Sequence, residues 1–364
     1  MYKKIFMGIA AVAALTLVSC SSEDLNSLSD NSSKNEAISF DGYLGRSAVA
    51  VNGSRGSLET KDQLKTDGFG VFGNYNEEAT TAYGANWFNN VKVTCPSSAW
   101  TYSPLRFWPT QGHIDFLAYA PYVEGKTLKE NTFCIDFNVE EIDKQQDLLW
   151  AKAENKTRDN ISTTENKVKF HFYHALSRLG YTVNLYRDYS SNPDNKATFT
   201  LDKITLAGSS DGTSKNAFYK TGTIDLSKAN GARDLWDTSS SAANDGKRNF
   251  EWVSSKKPVD NTGIKNAETD YLFVIPQDFS QTKTEGHDVD ELYVIVQYTI
   301  TYKDGKEQTN KVYKQIKKHF LQGKAYRLNL TIGLPIEFDV DVVEDWGTED
   351  NIYIGSNDNN PWDR

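Results

Sequence analysis

Three cysteines, two methionines and five histidines are all that this 364-residue chain offers to thiol chemistry or to metals held by nitrogen and sulfur. The histidines, His113, His171, His174, His287 and His319, are scattered, whereas a zinc site needs three or four ligands converging on one ion. His171 and His174 lie three apart in a predicted strand, which puts them on opposite faces. Neither a His-Glu-x-x-His pair nor a Walker loop occurs. Asp339 and Asp341 share the polar side of an alternating strand, where they are solvated and do not flank a bond as a glycosidase pair does. Asn192-Pro193-Asp194-Asn195 and Ser210-Asp211-Gly212-Thr213 lack the ligand spacing of a calcium loop and read as turns. The chain is therefore read as no enzyme, with no catalytic residue, no metal site and no cofactor. Cationic charge is short too: 40 Lys and Arg stand against 49 Asp and Glu, a formal net charge of −9. That balance disfavours nucleic acid and anionic membrane surfaces as partners.

Aromatics, by contrast, are plentiful: 19 Tyr, 18 Phe and 8 Trp, a composition that leans towards β-structure. Alternation at period two supports it. Leu292, Val294, Val296, Tyr298, Ile300 and Tyr302 share one face of a predicted strand. Tyr326, Leu328, Leu330 and Ile332 form a second, and Ile336, Phe338, Val340 and Val342 a third. Further strands are expected at 69–75, 114–119, 168–173, 181–186, 199–206 and 271–275, with a hairpin turn at Asp304-Gly305. Helix is scarce, and only 142–150 is read as two helical turns. One face in a core and one in water describes all-β architecture, here two tandem antiparallel β-sandwich domains. Their limits are set at 38–166 and 167–346, divided by the polar loop 155–166.

The N-terminus has its own character. Lys3 and Lys4 precede an apolar run, residues 5–18, that is too short to span a bilayer and has the length of a signal h-region. Leu17-Val18-Ser19-Cys20 resembles a bacterial lipobox, so residues 1–20 are expected to be a lipoprotein signal peptide and Cys20 the lipidated first residue. Glu23 and Asp24 resemble a surface-export signal of Bacteroidetes lipoproteins. A polar tether, 21–37, follows. Cys95 and Cys134 would then lie in an oxidising compartment, either bridged or as two unpaired thiols.

The order of landmarks along the chain resembles a known family. Asp67-Gly68-Phe69-Gly70-Val71-Phe72 comes first, then Trp100-Thr101-Tyr102, Phe107-Trp108-Pro109 and Ile114-Asp115-Phe116-Leu117-Ala118-Tyr119-Ala120-Pro121. Phe172-Tyr173-His174-Ala175-Leu176-Ser177-Arg178-Leu179, Gly323-Lys324-Ala325-Tyr326 and Val342-Val343-Glu344-Asp345-Trp346 complete the set. This resembles the fimbrillin family of Bacteroidetes, the Mfa-like and FimA-like subunits and adhesins of type V pili. The resemblance implies transthyretin-like, Greek-key sandwiches, export as an outer-membrane lipoprotein and surface exposure in a pilus. It also implies partners: other pilus subunits, and an Arg-specific protease that clips the chain after its first strand. A neighbour's extended segment then fills the groove, which is β-augmentation.

Ile38, Phe40 and Leu44 have the alternation of such a removable strand. Arg46, directly after it, and Arg55, in a polar Gly-bearing stretch, are the cleavage candidates, with Arg46 ranked slightly ahead. In the tail 347–364, Ile352, Tyr353 and Ile354 form a candidate donor strand. A separate reading takes Trp87, Trp100, Tyr102, Trp108, Tyr119 and Tyr122 as rings that stack on a host or bacterial surface glycan, in a stand-alone surface lipoprotein. The leader carries a direct prediction: Cys20→Ser abolishes detergent-phase partitioning and removes the acyl mass. Unchanged partitioning would refute the lipobox.

Overall fold

In the computed structural model the described residues are 37–43, 61–77, 86–161, 166–191, 193, 196–229, 232, 234–267, 270–284, 288–334 and 338–344. The first part of the chain contributes β1 (Phe40–Tyr43), α1 (Lys61–Asp67), β2 (Phe69–Asn76), β3 (Phe88–Val93), β4 (His113–Ala120), β5 (Cys134–Asn138), β6 (Leu149–Lys156), β7 (Val168–His171) and β8 (Tyr173–His174). Thereafter come β9 (Ser177–Leu185), β10 (Ala197–Ala207), β11 (Thr221–Asp225), β12 (Phe250–Val253), β13 (Lys257–Val259), β14 (Ile264–Lys265), β15 (Leu272–Val274), β16 (Tyr293–Tyr302), β17 (Glu307–Gln315), β18 (Ala325–Ile332) and β19 (Phe338–Glu344).

Three five-stranded sheets organise these elements. One runs β3-β2-β4-β6-β8, all antiparallel. A second runs β12-β10-β16-β17, with β13 also on β10. The third runs β14-β9-β18-β19, with β15 also on β9. Two pairings depart from the antiparallel rule: β9 with β18, and β1 with β7. The fold is nearly all β, as the alternation implies, and the strongest alternations end where period two places them. Leu292, Val294, Val296, Tyr298 and Ile300 are fully buried, as are Tyr326, Leu328, Leu330 and Ile332. Gly305 takes φ +80° in the hairpin that links β16 to β17, a conformation glycine adopts without penalty.

The buried side chains fall into three cores. One is drawn from Ile38 to Phe172 and is dense in Phe. Another, from Leu179 to Val340, lies between the second and third sheets. The remaining core takes Tyr119, Ile135 and Trp150 from the earlier part and Ile224, Leu235 and Phe273 from the later part. It is framed by β5 pairing with β11, where Ile135 stands opposite Ile224.

Local expectations fail in two places. Residues 142–150 form no helix: a turn leads to Gln145 and Asp147, both buried, and β6 begins at Leu149. Gln145 Oε1 accepts a 2.8 Å bond from the Phe273 N–H, and Asp147 Oδ2 lies 2.6 Å from His174 Nδ1. Tertiary polar contacts outweigh the local helical pattern there. Conversely, α1 is a helix outside the one stretch expected to be helical. Its anchor is Leu64, fully buried in the first core, while Gln63 Nε2 bonds Asp67 Oδ2 one turn on at 2.8 Å.

Cys95 is buried, Cys134 half-buried, and both are free thiols. The bridging alternative is corrected accordingly: Cys95 follows β3 against Lys65, its N–H 3.4 Å from that carbonyl, while Cys134 opens β5 against β11. Burial pushes the Cys134 thiol up and keeps it protonated. Leu64→Ala should lower unfolding free energy by about 2–5 kcal/mol in urea titration. A loss below about 1 kcal/mol would mean that α1 does not anchor the first core.

Candidate functional site

The chain's first described strand is also one of its most buried. Ile38 and Phe40 are each 1% exposed, and Gly42 is buried, while Ser39 and Asp41 between them are half-buried. Burial of two such apolar side chains contributes about 1.5–3 kcal/mol each. β1 pairs in parallel with β7, Phe40 opposite Val168 and Tyr43 opposite His171. Its approach is held by main chain on both sides. Ser39 O accepts from Val168 N–H at 2.8 Å, and Ser39 Oγ donates to Asn166 O at 2.9 Å. Ile38 N–H donates to Arg106 O at 2.8 Å, and Ala37 bridges Phe107.

Phe40 sits in a cage of rings. Its centroid lies 5.5 Å from Phe88, 5.4 Å from Tyr102, 5.4 Å from Phe116 and 5.7 Å from Phe170. Such edge and stacked contacts add to simple area burial. Tyr102 has a second role, because its hydroxyl donates to Ile38 O at 2.8 Å and accepts from Arg106 N–H at 3.2 Å. Burial pushes that phenol up, so it stays a donor. Two residues on, the floor beneath Gly42 is made by Phe69, Trp100 and Phe172. A Cβ there would lie 3.0 Å from Phe69 Cε1.

Of the site residues expected from sequence, Ile38 and Phe40 are thus brought together with a cage that sequence reading did not foresee. Leu44, Arg46, Arg55, Cys20, Ile352, Tyr353 and Ile354 lie outside the described residues. Five of the six rings read as a glycan platform are buried in or packed on a core. Trp108 and Tyr119 are buried, and Trp87, Trp100 and Tyr102 pack on the first core. Tyr122 is half-buried with Lys92 Nζ 5.1 Å from its centroid.

Gly208-Ser209-Ser210-Asp211-Gly212 has the Gly-x-Ser-x-Gly spacing of a hydrolase elbow, a pattern easily passed over. It forms a turn leading to the two-residue strand Phe218–Tyr219, with no helix after it, so it lacks the strand-to-helix geometry the chemistry needs. Asp211 instead gathers Ser209 Oγ at 2.6 Å and Thr213 N–H at 2.8 Å, which hold its carboxyl well below the usual range. Among the described residues no group of His, Cys, Asp and Glu is placed to hold a metal ion, and no helix is long and apolar enough to cross a membrane.

The class that the fold defines is a nearly all-β protein whose first described strand is buried in an aromatic core. Comparison with known proteins narrows this. A family model described as fimbrillin-like matches residues 58–346, and the chain belongs to that family. Fimbrium subunit Fim1C of Phocaeicola vulgatus is 25% identical over 383 aligned positions, covering 94% of this chain and 96% of the relative. A crystal structure of a fimbrial protein from Bacteroides vulgatus has the same fold: TM-score 0.64, 19% identity, 85% of this chain and 99% of that one. The chain is a fimbrial, adhesin-like structural protein of the pilus surface, from a family of subunits and not of enzymes.

If Phe40 seals the core, Phe40→Ala in the uncut chain should cost about 3–5 kcal/mol in urea unfolding. Tyr102→Phe should cost about 1 kcal/mol through its lost bond to Ile38. A Phe40→Ala loss under about 1 kcal/mol would show that β1 is not an integral wall.

Proposed function

We propose that this fimbrial subunit is exported as an outer-membrane lipoprotein through Cys20, clipped after Arg46 or Arg55 by an Arg-specific protease, and polymerised by strand exchange. The observation that carries the proposal is the seat of β1. The seat is occupied by a strand of only four residues, Phe40–Tyr43, which among the described residues pairs with one strand, β7.

Taking that strand away would expose the rings around Phe40, the Arg106 carbonyl and the main-chain edge of β7 together. An unpaired edge beside an apolar trough is a recipient for an extended peptide: main-chain bonds hold it, and alternate side chains fill the trough. Left open it would invite aggregation, so a covalently attached strand guards it until assembly. Arg46 stands three residues past the end of β1 and Arg55 six residues before α1, so a cut at either would free the segment without breaking a described element. Ile352, Tyr353 and Ile354, which lie past β19, are the donor in this scheme. Two tandem sandwiches divided near residue 166 remain part of the proposal; the first core runs on to Phe172 and the later one begins at Leu179.

Treating the mature chain with an Arg-specific protease should give ladders of higher oligomers on native gels. Replacing both Arg46 and Arg55 by Gln should leave it uncut between β1 and α1, and monomeric. Ladders from that double variant would sink the maturation step.

A further inference from the structure

Far from β1, one carboxyl group holds a lysine on one oxygen and a glutamine amide on the other. Lys247 and Gln277 are both buried, at 6% and 5% exposed. Asp290 Oδ1 accepts from Lys247 Nζ, and Asp290 Oδ2 accepts from Gln277 Nε2 at 2.6 Å. The Tyr219 hydroxyl donates to the same Oδ2 at 3.1 Å, and its ring centroid lies 4.8 Å from Lys247 Nζ. Gln277 Nε2 also donates to Ala217 O at 2.9 Å, which fixes the amide. Gln277 Oε1 is buried and has no hydrogen-bond partner among the described residues.

Apolar groups wall the site. Lys247 opposes Tyr219 in a two-residue ribbon whose next pair sets Arg248 against Phe218. Gln277 opposes Phe320 in a second ribbon of the same length. Phe218 and Phe320 belong to the core between the second and third sheets. Phe279 lies between their rings, 5.6 Å from Phe218 and 5.9 Å from Phe320 by centroid. The lysine is correspondingly dry: its side chain is 7% exposed, whereas Lys203 beside Glu251 is 37% exposed and Lys306 beside Asp304 is 83% exposed.

Drawing two ionised groups out of water costs free energy, and one proton passed from the ammonium to the carboxylate removes both charges. What remains is an amine and an amide held on the two oxygens of a single carboxyl group. We infer that Lys247 and Gln277 condense into an intramolecular isopeptide bond, with Asp290 carrying the protons. This inference is independent of strand exchange.

The step balances without a further reactant. Asp290 Oδ1 takes a proton from Lys247 Nζ, whose lone pair then adds to Gln277 Cδ. The Cδ–Nε2 bond breaks as Oδ2 hands that proton to Nε2. A second proton shed by Nζ follows the same route, so the amide nitrogen leaves as ammonium ion and Asp290 ends as the carboxylate it began as. Nothing is oxidised or reduced. Each oxygen is hydrogen-bonded to the nitrogen it serves, which is the geometric requirement for general acid–base transfer. Holding the reacting groups together beforehand also removes the entropic cost of bringing them there. The product ties one two-residue ribbon to the other. Paired strands of that length are marginal by themselves, and a covalent cross-link stabilises them by restricting the unfolded chain.

The test is mass spectrometry of the denatured full chain, intact and after trypsin digestion, beside a Lys247→Arg variant. That variant keeps a cation next to Asp290 but offers no amine, and any acyl group cancels in the comparison. Once the substitution itself is allowed for, the wild-type chain should be lighter than the variant by one ammonia. Its digest should contain a branched peptide joining Lys247 to Gln277, with no cleavage after Lys247. Asp290→Ala, which keeps both reacting groups and removes the carrier, should lack the branch. A wild-type chain of full mass would overturn the isopeptide, as would an ammonia loss without the Lys247–Gln277 branch. A loss of water, with Lys247 joined to Asp290, would overturn it as well, because the carboxyl group would then be the acyl donor. A branch at the wild-type level in Asp290→Ala would overturn the role given to Asp290. The decisive reading is taken on the unsubstituted chain, so a variant that fails to fold does not shield the proposal.

Discussion

Everything specific about this molecule turns on one contact, the ring of Phe40 inside its cage of Phe88, Tyr102, Phe116 and Phe170. Those four rings come from β3, the loop before β4, β4 itself and β7, so a single side chain ties together elements scattered over the first core. The strand that carries Phe40 belongs to none of the three large sheets. A core is thereby completed by a strand that, among the described residues, pairs with one other strand, β7. In the proposed strand exchange, removal of that strand would leave a defined trough in place of a collapsed surface, because the cage rings are also held by one another. Phe88, Phe116 and Phe170 contact each other in edge-on pairs independently of Phe40.

The remainder of the fold is a rigid frame for that trough. The third core joins β5 to β11 and carries residues from early and late in the chain. Beside it lies a band of buried polar contacts: the Asp147–His174 pair, Gln145 accepting from Phe273, and the Arg178 guanidinium 4.0 Å from the ring centroid of Tyr271. Buried polar groups of this kind cost free energy unless partnered, and when partnered they favour one arrangement over its competitors.

How much of this could be read from residues alone depended on whether the signal was local. β16 and β18 were legible because each has one face in a core, so period two is written into consecutive residues. The burial of Ile38 and Phe40 was legible for the same reason, the two alternating with polar neighbours. The cage was not, since Phe88 and Phe170 are far apart in sequence and only the topology brings them together. α1 escaped notice because a single apolar residue, Leu64, anchors it, which is too little for a periodic pattern. Residues 142–150 misled in the opposite sense: Gln145 and Asp147 look like the polar face of a helix, yet both are buried partners of distant groups. The rings expected to meet a sugar illustrate a further limit, because composition cannot say which way Trp108 or Tyr119 points.

The central claim is that β1 is a detachable wall whose departure makes the binding trough. Its most direct test is the fate of the cut peptide. After Arg-specific cleavage, monomeric and assembled fractions are separated without denaturant and each is weighed by mass spectrometry. The account predicts that the N-terminal fragment bearing Ile38 and Phe40 stays bound in cleaved monomers and is absent from assembled subunits. Assembled subunits that retain that fragment in stoichiometric amount would contradict it, since the trough would then never have been vacated.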